Sequence, residues 1–99
     1  MDKPTVLTPQ QIEEALQNLP GWTFKDDKIS KEFQFADFMA AFTFLSGLAP
    51  YFEEMDHHPD IHIFYNKILF ELQRFDSGGK VTDRDIIVAQ EIERRFASL

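Results

Sequence analysis

Apolar positions recur along this chain with two periods, and the switches between them mark out its elements. Ile12, Ala15, Leu16 and Leu19 fall at i, i+3, i+4 and i+7, the stripe of an amphipathic helix. Thr8-Pro9-Gln10-Gln11 opens that helix: Thr8 caps, Pro9 takes the first helical position, and Gln11 completes a capping box. Pro20-Gly21 ends it, and residues 1–7 before it read as a loose lead-in. Trp22 and Phe24 then alternate with polar neighbours. Ile29, Lys31 and Phe33 alternate again beyond a turn-like Lys25-Asp26-Asp27-Lys28, so this segment predicts a β-hairpin.

The helical period returns after Gln34. Phe35, Phe38, Met39, Phe42 and Leu45 form the expected core-facing stripe of a second helix. Pro50 interrupts it, because an interior proline removes a hydrogen bond and crowds the preceding turn; the helix is expected to kink there and run to about Met55. His57-His58-Pro59 must leave it, since a residue before proline is pushed towards extended conformations. From Ile61 to Phe75 the pattern is strand-like, with Ile61, Ile63 and Tyr65 on one face and then Ile68, Phe70 and Leu72 between polar neighbours. Asp76-Ser77-Gly78-Gly79 reads as a loop. Thr82-Asp83-Arg84-Asp85 is a second capping box, opening a helix whose inner face is Val88, Ala89, Ile92 and Phe96. The order αββαββα implies an α+β fold, a four-stranded antiparallel sheet with three helices packed on one face.

Composition narrows the function. The 99 residues make one domain, and 11 phenylalanines supply its core in large pieces. With no cysteine, a disulfide scaffold, thiol catalysis and cysteine-bound zinc are excluded, in keeping with a cytoplasmic location. A formal charge of −7 repels phosphate backbones, so direct nucleic-acid binding is not expected. No apolar run reaches the ~18–20 residues of a membrane span.

The chemistry concentrates in one segment. All three histidines, His57, His58 and His62, lie within six positions, among Glu53, Glu54, Asp56 and Asp60. One reading is a solvated polar junction between helix and strand. A second is a metal site from His58 and His62, but on a strand positions four apart stand roughly 13 Å apart, so no metal is expected. The third is general acid/base work by His57 and His58 beside a rigid Pro59, with Glu53, a helical turn earlier, fixing the His57 tautomer.

Glu53, then His57-His58-Pro59, Tyr65-Asn66-Lys67, Gly78-Gly79 and Thr82-Asp83-Arg84-Asp85 closely resemble the signature of the pterin-4a-carbinolamine dehydratase family, also known as a dimerisation cofactor of a homeodomain transcription factor. The likeness covers nearly the whole chain. It implies loss of water from a 4a-hydroxytetrahydropterin to give a quinonoid dihydropterin, in tetrahydropterin recycling, with no metal or organic cofactor. By carry-over, His57 and His58 handle the hydroxyl and its proton, Glu53 orients or charges an imidazole, Pro59 shapes the cleft, and Asp85 is the aspartate that closes the pattern. It also implies a homodimer or homotetramer, for which the Ile61 to Phe75 region is the candidate contact.

One position departs from the family. Where it places a histidine, or in some members a tryptophan, this chain has Phe75. Phenylalanine can stack on a flat pterin ring but cannot move a proton, and a lost proton transfer costs ~10²–10⁴-fold in rate. The competing expectation is therefore a non-catalytic pterin-binding or protein-binding relative.

Overall fold

The computed structural model describes residues 3–74 and 78–99. Its elements run α1 (Pro9–Leu16), β1 (Thr23–Lys25), β2 (Lys28–Gln34), α2 (Phe38–Met55), β3 (Asp60–Phe64), β4 (Lys67–Leu72) and α3 (Asp83–Ala97). The α+β order read from the sequence is the order observed. The strands form one antiparallel sheet in the order β1-β2-β4-β3, so β2 and β4 pair at its centre across the whole of α2 and β3.

Local sequence explains most boundaries. The α1 capping box is present, Thr8 and Gln11 exchanging side-chain and backbone bonds. α1 stops at Leu16, earlier than the apolar stripe suggests, because the chain tightens into i to i−3 bonds that still deliver Leu19 to the core. Gly21 follows at φ 86, where a Cβ would sit 2.9 Å from the Lys31 side chain. Asp26 and Asp27 both adopt positive φ (54 and 61), as a two-residue hairpin turn requires. Residues 5–7 are no loose lead-in: Leu7 bonds to Val81, and Thr5 and Asp83 bond one another, fastening the N-terminal segment beside the start of α3.

α2 continues through Pro50 to Met55, as expected, but it begins at Phe38 and not just after Gln34. Asp37 caps it by accepting from the Ala40 N–H, while Phe35 is held at the end of β2 by Asn66. The buried face also differs. Ala41, Phe44, Leu48 and Phe52 point inward, whereas Phe38, Met39 and Phe42, expected in the core, are exposed. The helix is apolar nearly all round, so periodicity alone does not choose between two stripes; the observed one puts the small Ala41 at the contact.

Beneath the helices, Ile29, Phe33, Ile68, Phe70 and Leu72 form the buried face of the sheet. Phe33 is its centre, meeting Trp22, Phe70 and Phe96 edge to face at centroid distances of 6.1, 5.8 and 4.9 Å. α3 is clamped to α2 by Arg95, which donates to the Gly47 carbonyl and lies over the Tyr51 ring. Arg94 and Arg95 both bond Glu91, and these hydrogen bonds hold its carboxyl at about 2 against an ordinary 4.5. Because the folded value is the lower one, this stabilisation is full above pH 4.5 and lost as pH falls towards 2. Glu91→Gln is expected to lower the urea midpoint at pH 7 and to leave it nearly unchanged at the acid end of that window. An equal loss at both pH values would refute the assignment.

Candidate active site

The end of α2 is built to turn one histidine inward. Asp56 takes a left-handed conformation (φ 49, ψ 45), which aspartate tolerates better than most residues with a side chain. Its N–H returns to Glu53 and that of His57 to Phe52, stopping the helix with a sharp reversal. His57 is thereby driven into the body of the protein and is only 3% exposed. His58 stays outside, ahead of Pro59, which is half-buried and leads into β3.

Each imidazole has its own carboxylate. His57 Nε2 lies 2.5 Å from Asp85 Oδ1, and Asp85 is completely buried. The other Asp85 oxygen accepts from the Thr82 N–H at 2.7 Å and from the Thr82 hydroxyl at 3.2 Å, so the capping box of α3 also anchors the partner of His57. On the far side of the ring, Arg74 Nη1 donates to the Asp56 carbonyl at 2.8 Å and stands 3.2 Å from His57 Nδ1. A guanidinium only donates, so Nδ1 must accept. Nε2 therefore carries the ring proton and gives it to Asp85. His58 Nε2 lies 2.6 Å from Glu53 Oε1 in an exposed pair.

The two rings share one concavity. Between the end of α2, the start of β3 and the segment after β4 lies a hollow of about 330 Å³, whose walls include His57, His58, Arg74 and the carboxylates Asp56, Asp60 and Glu71. That volume is at the small end of the range for small-molecule sites. Glu71 also receives hydrogen bonds from Lys28 and His62; the Lys28 bond is the main cause holding its carboxyl below the usual range, against the opposing effect of burial. It is ionised at neutral pH and is not a proton donor there.

The residues singled out in the sequence are not all where expected. His57 and His58 do meet at one hollow. Glu53 pairs with His58 and not with His57, because the reversal at Asp56 buries His57 while Glu53 stays on the outer side of α2. Asp85 stands behind His57 and does not line the hollow. Tyr65 belongs to the β3–β4 turn at φ 55 and is 70% exposed, so it neither extends the strand nor packs in the core. His62 faces the side of the sheet away from the helices, on Glu71. Phe75 lies outside the described residues. Arg74 and Glu71 were not singled out; the one signal for Arg74 is its place as a lone cation in the stretch from 68 to 79.

Comparison with known proteins agrees with this architecture. The family model described as pterin 4 alpha carbinolamine dehydratase matches residues 5–95. A Metallosphaera sedula protein named after pterin-4-alpha-carbinolamine dehydratase is 40% identical over 87 residues, covering 88% of this chain and 90% of its own length. One from Acidobacterium capsulatum, named likewise, is 42% identical over 87 residues, covering 88% and 94%. A crystal structure described as a transcriptional coactivator/pterin dehydratase from Brucella melitensis superposes with a TM-score of 0.86 at 35% identity, over 92% of this chain and 98% of that one. A match spanning nearly every element, with the histidine pair seated where the helix reverses, has one meaning: the chain belongs to the pterin-4-alpha-carbinolamine dehydratase family.

Proposed function

We infer that this protein removes water from a 4a-hydroxytetrahydropterin, using the two histidines as acid and base. The observation that carries the reading is the convergence of His57 and His58 on one hollow, each backed by a different carboxylate. In the reaction the C4a–O bond breaks, the hydroxyl leaves as water with a proton from the acid, N5 gives its proton to the base, and the N5=C4a double bond of the dihydropterin forms. One proton enters and one leaves, so no net acid is consumed.

The roles follow from the partners. His57 presents a lone pair at Nδ1 while Asp85 holds the proton at Nε2, which suits a base fixed in one tautomer and orientation. His58, exposed and bonded to Glu53, suits the acid, since the carboxylate holds the ring in place and solvent can reload it with a proton. Pro59 restricts His58, and Phe75 is assigned to the flat face of the pterin without a proton-transfer role.

Stopped-flow dehydration of a synthetic 4a-hydroxytetrahydropterin tests this. The wild type is expected well above the buffer blank, with His58→Ala lower by ~10²–10⁴-fold and Phe75→His faster than wild type. A wild-type rate equal to the blank would select the second reading, a protein-binding relative without turnover. Two observations favour that alternative: the exposed Phe38, Met39 and Phe42 on α2, and the coactivator description of the Brucella melitensis structure.

A further inference from the structure

The guanidinium of Arg74 has no place in the acid and base assignment, yet it touches the ring nitrogen that the assignment needs. We propose that Arg74 is a positioning residue that keeps the His57 Nδ1 lone pair unprotonated in the free protein and yields it to the substrate N–H on binding. The proposal rests on the reading of His57 as base and adds what maintains that base.

Three features support it. The Arg74 Nη1 group is shared between the Asp56 carbonyl at 2.8 Å and Nδ1 at 3.2 Å, so the tighter contact is the one to the backbone. The guanidinium can keep its anchor on Asp56 while the looser contact is exchanged. Second, Asp85 faces the opposite nitrogen from complete burial, so the contact open to exchange is the one at Nδ1, made by Arg74, which lines the hollow. Third, the charged groups lining the hollow among the described residues are Asp56, His58, Asp60, Glu71 and Arg74, and Asp85 faces His57 from α3. Lys28 is engaged by Glu71, whereas the Arg74 N–H is directed at Nδ1, where a second ring proton would have to stand.

Long-range ¹H–¹⁵N spectra of the histidine rings, with His57 assigned by its loss in His57→Asn, read this directly. In the wild type at pH 7, His57 is expected with Nδ1 unprotonated and Nε2 protonated. In Arg74→Met both nitrogens are expected in the protonated range, and kcat/KM at that pH falls roughly tenfold with KM little changed, as for a base that must first lose a proton. Arg74→Lys, which retains a donor cation, is expected to restore part of both. An Arg74→Met spectrum identical to wild type at His57, in a folded protein, overturns the proposal whatever the rates. A wild type that shows no turnover but loses its His57 tautomer in Arg74→Met refutes the dehydratase reading instead and leaves the Arg74 contact established.

Discussion

Asp85→Asn is expected to lower turnover by ~10²–10⁴-fold and folding stability by roughly 1–3 kcal/mol together, because one carboxylate serves both the site and the fold. Its Oδ1 accepts from His57 and its Oδ2 from both the N–H and the hydroxyl of Thr82. An amide offers one acceptor atom and one donor atom. If its oxygen faces His57, its NH₂ meets the Thr82 N–H; if it faces Thr82, the NH₂ meets the Nε2 proton. Relief in the second case needs the other His57 tautomer, whose Nδ1 proton would then meet Arg74. The favourable charge near the N-terminus of α3 disappears as well, a further ~0.3–1 kcal/mol. Urea unfolding and single-turnover dehydration of the same preparation measure the two effects. A variant with unchanged midpoint and unchanged rate would show that the buried pair matters to neither.

Phe33→Ala is expected to cost ~3–5 kcal/mol, the range for emptying a buried aromatic position. A domain of this size holds ~5–15 kcal/mol in all, so the variant should be close to unfolding at 37 °C. Phe33 is 2% exposed and stands edge-on to Trp22, Phe70 and Phe96, which belong to three different segments of the chain. None of those rings can move into the space without breaking another contact. Thermal unfolding followed by Trp22 fluorescence gives the result directly, since Trp22 is one of the neighbours. A midpoint within a few degrees of wild type would mean that the core closes over the gap.

What the sequence made legible was whatever depends on near neighbours. Capping boxes at Thr8 and Thr82, the alternation in β2 and β4, and the paired aspartates of the first hairpin are local signals, and each produced the element expected. The histidine pair was legible for the same reason: His57, His58 and Pro59 are consecutive. Partners distant in sequence were not. Asp85 reads as a helix-capping residue from its neighbours and as a site residue from the family resemblance, but only the packing of α3 against the end of α2 makes it the partner of His57. Arg74 meets His57 because β4 runs beside the start of β3, a pairing no periodicity specifies. The α2 stripe expected from periodicity is not the one buried, because a helix bearing phenylalanines on several sides has no unique inner face until the sheet supplies one.

The central β2–β4 pairing bears on how the chain reaches this state. The β1–β2 and β3–β4 hairpins join neighbouring strands and can form early, but the seam between them closes only after all of α2 and β3 have been gathered between its halves. Loop closure of that kind is entropically opposed until its contacts are made, so it sets the pace of assembly, placing the domain among millisecond folders and not the microsecond helical bundles. The pairing of His57 with Asp85, which joins the turn before β3 to the first turn of α3, would then be among the last contacts to form.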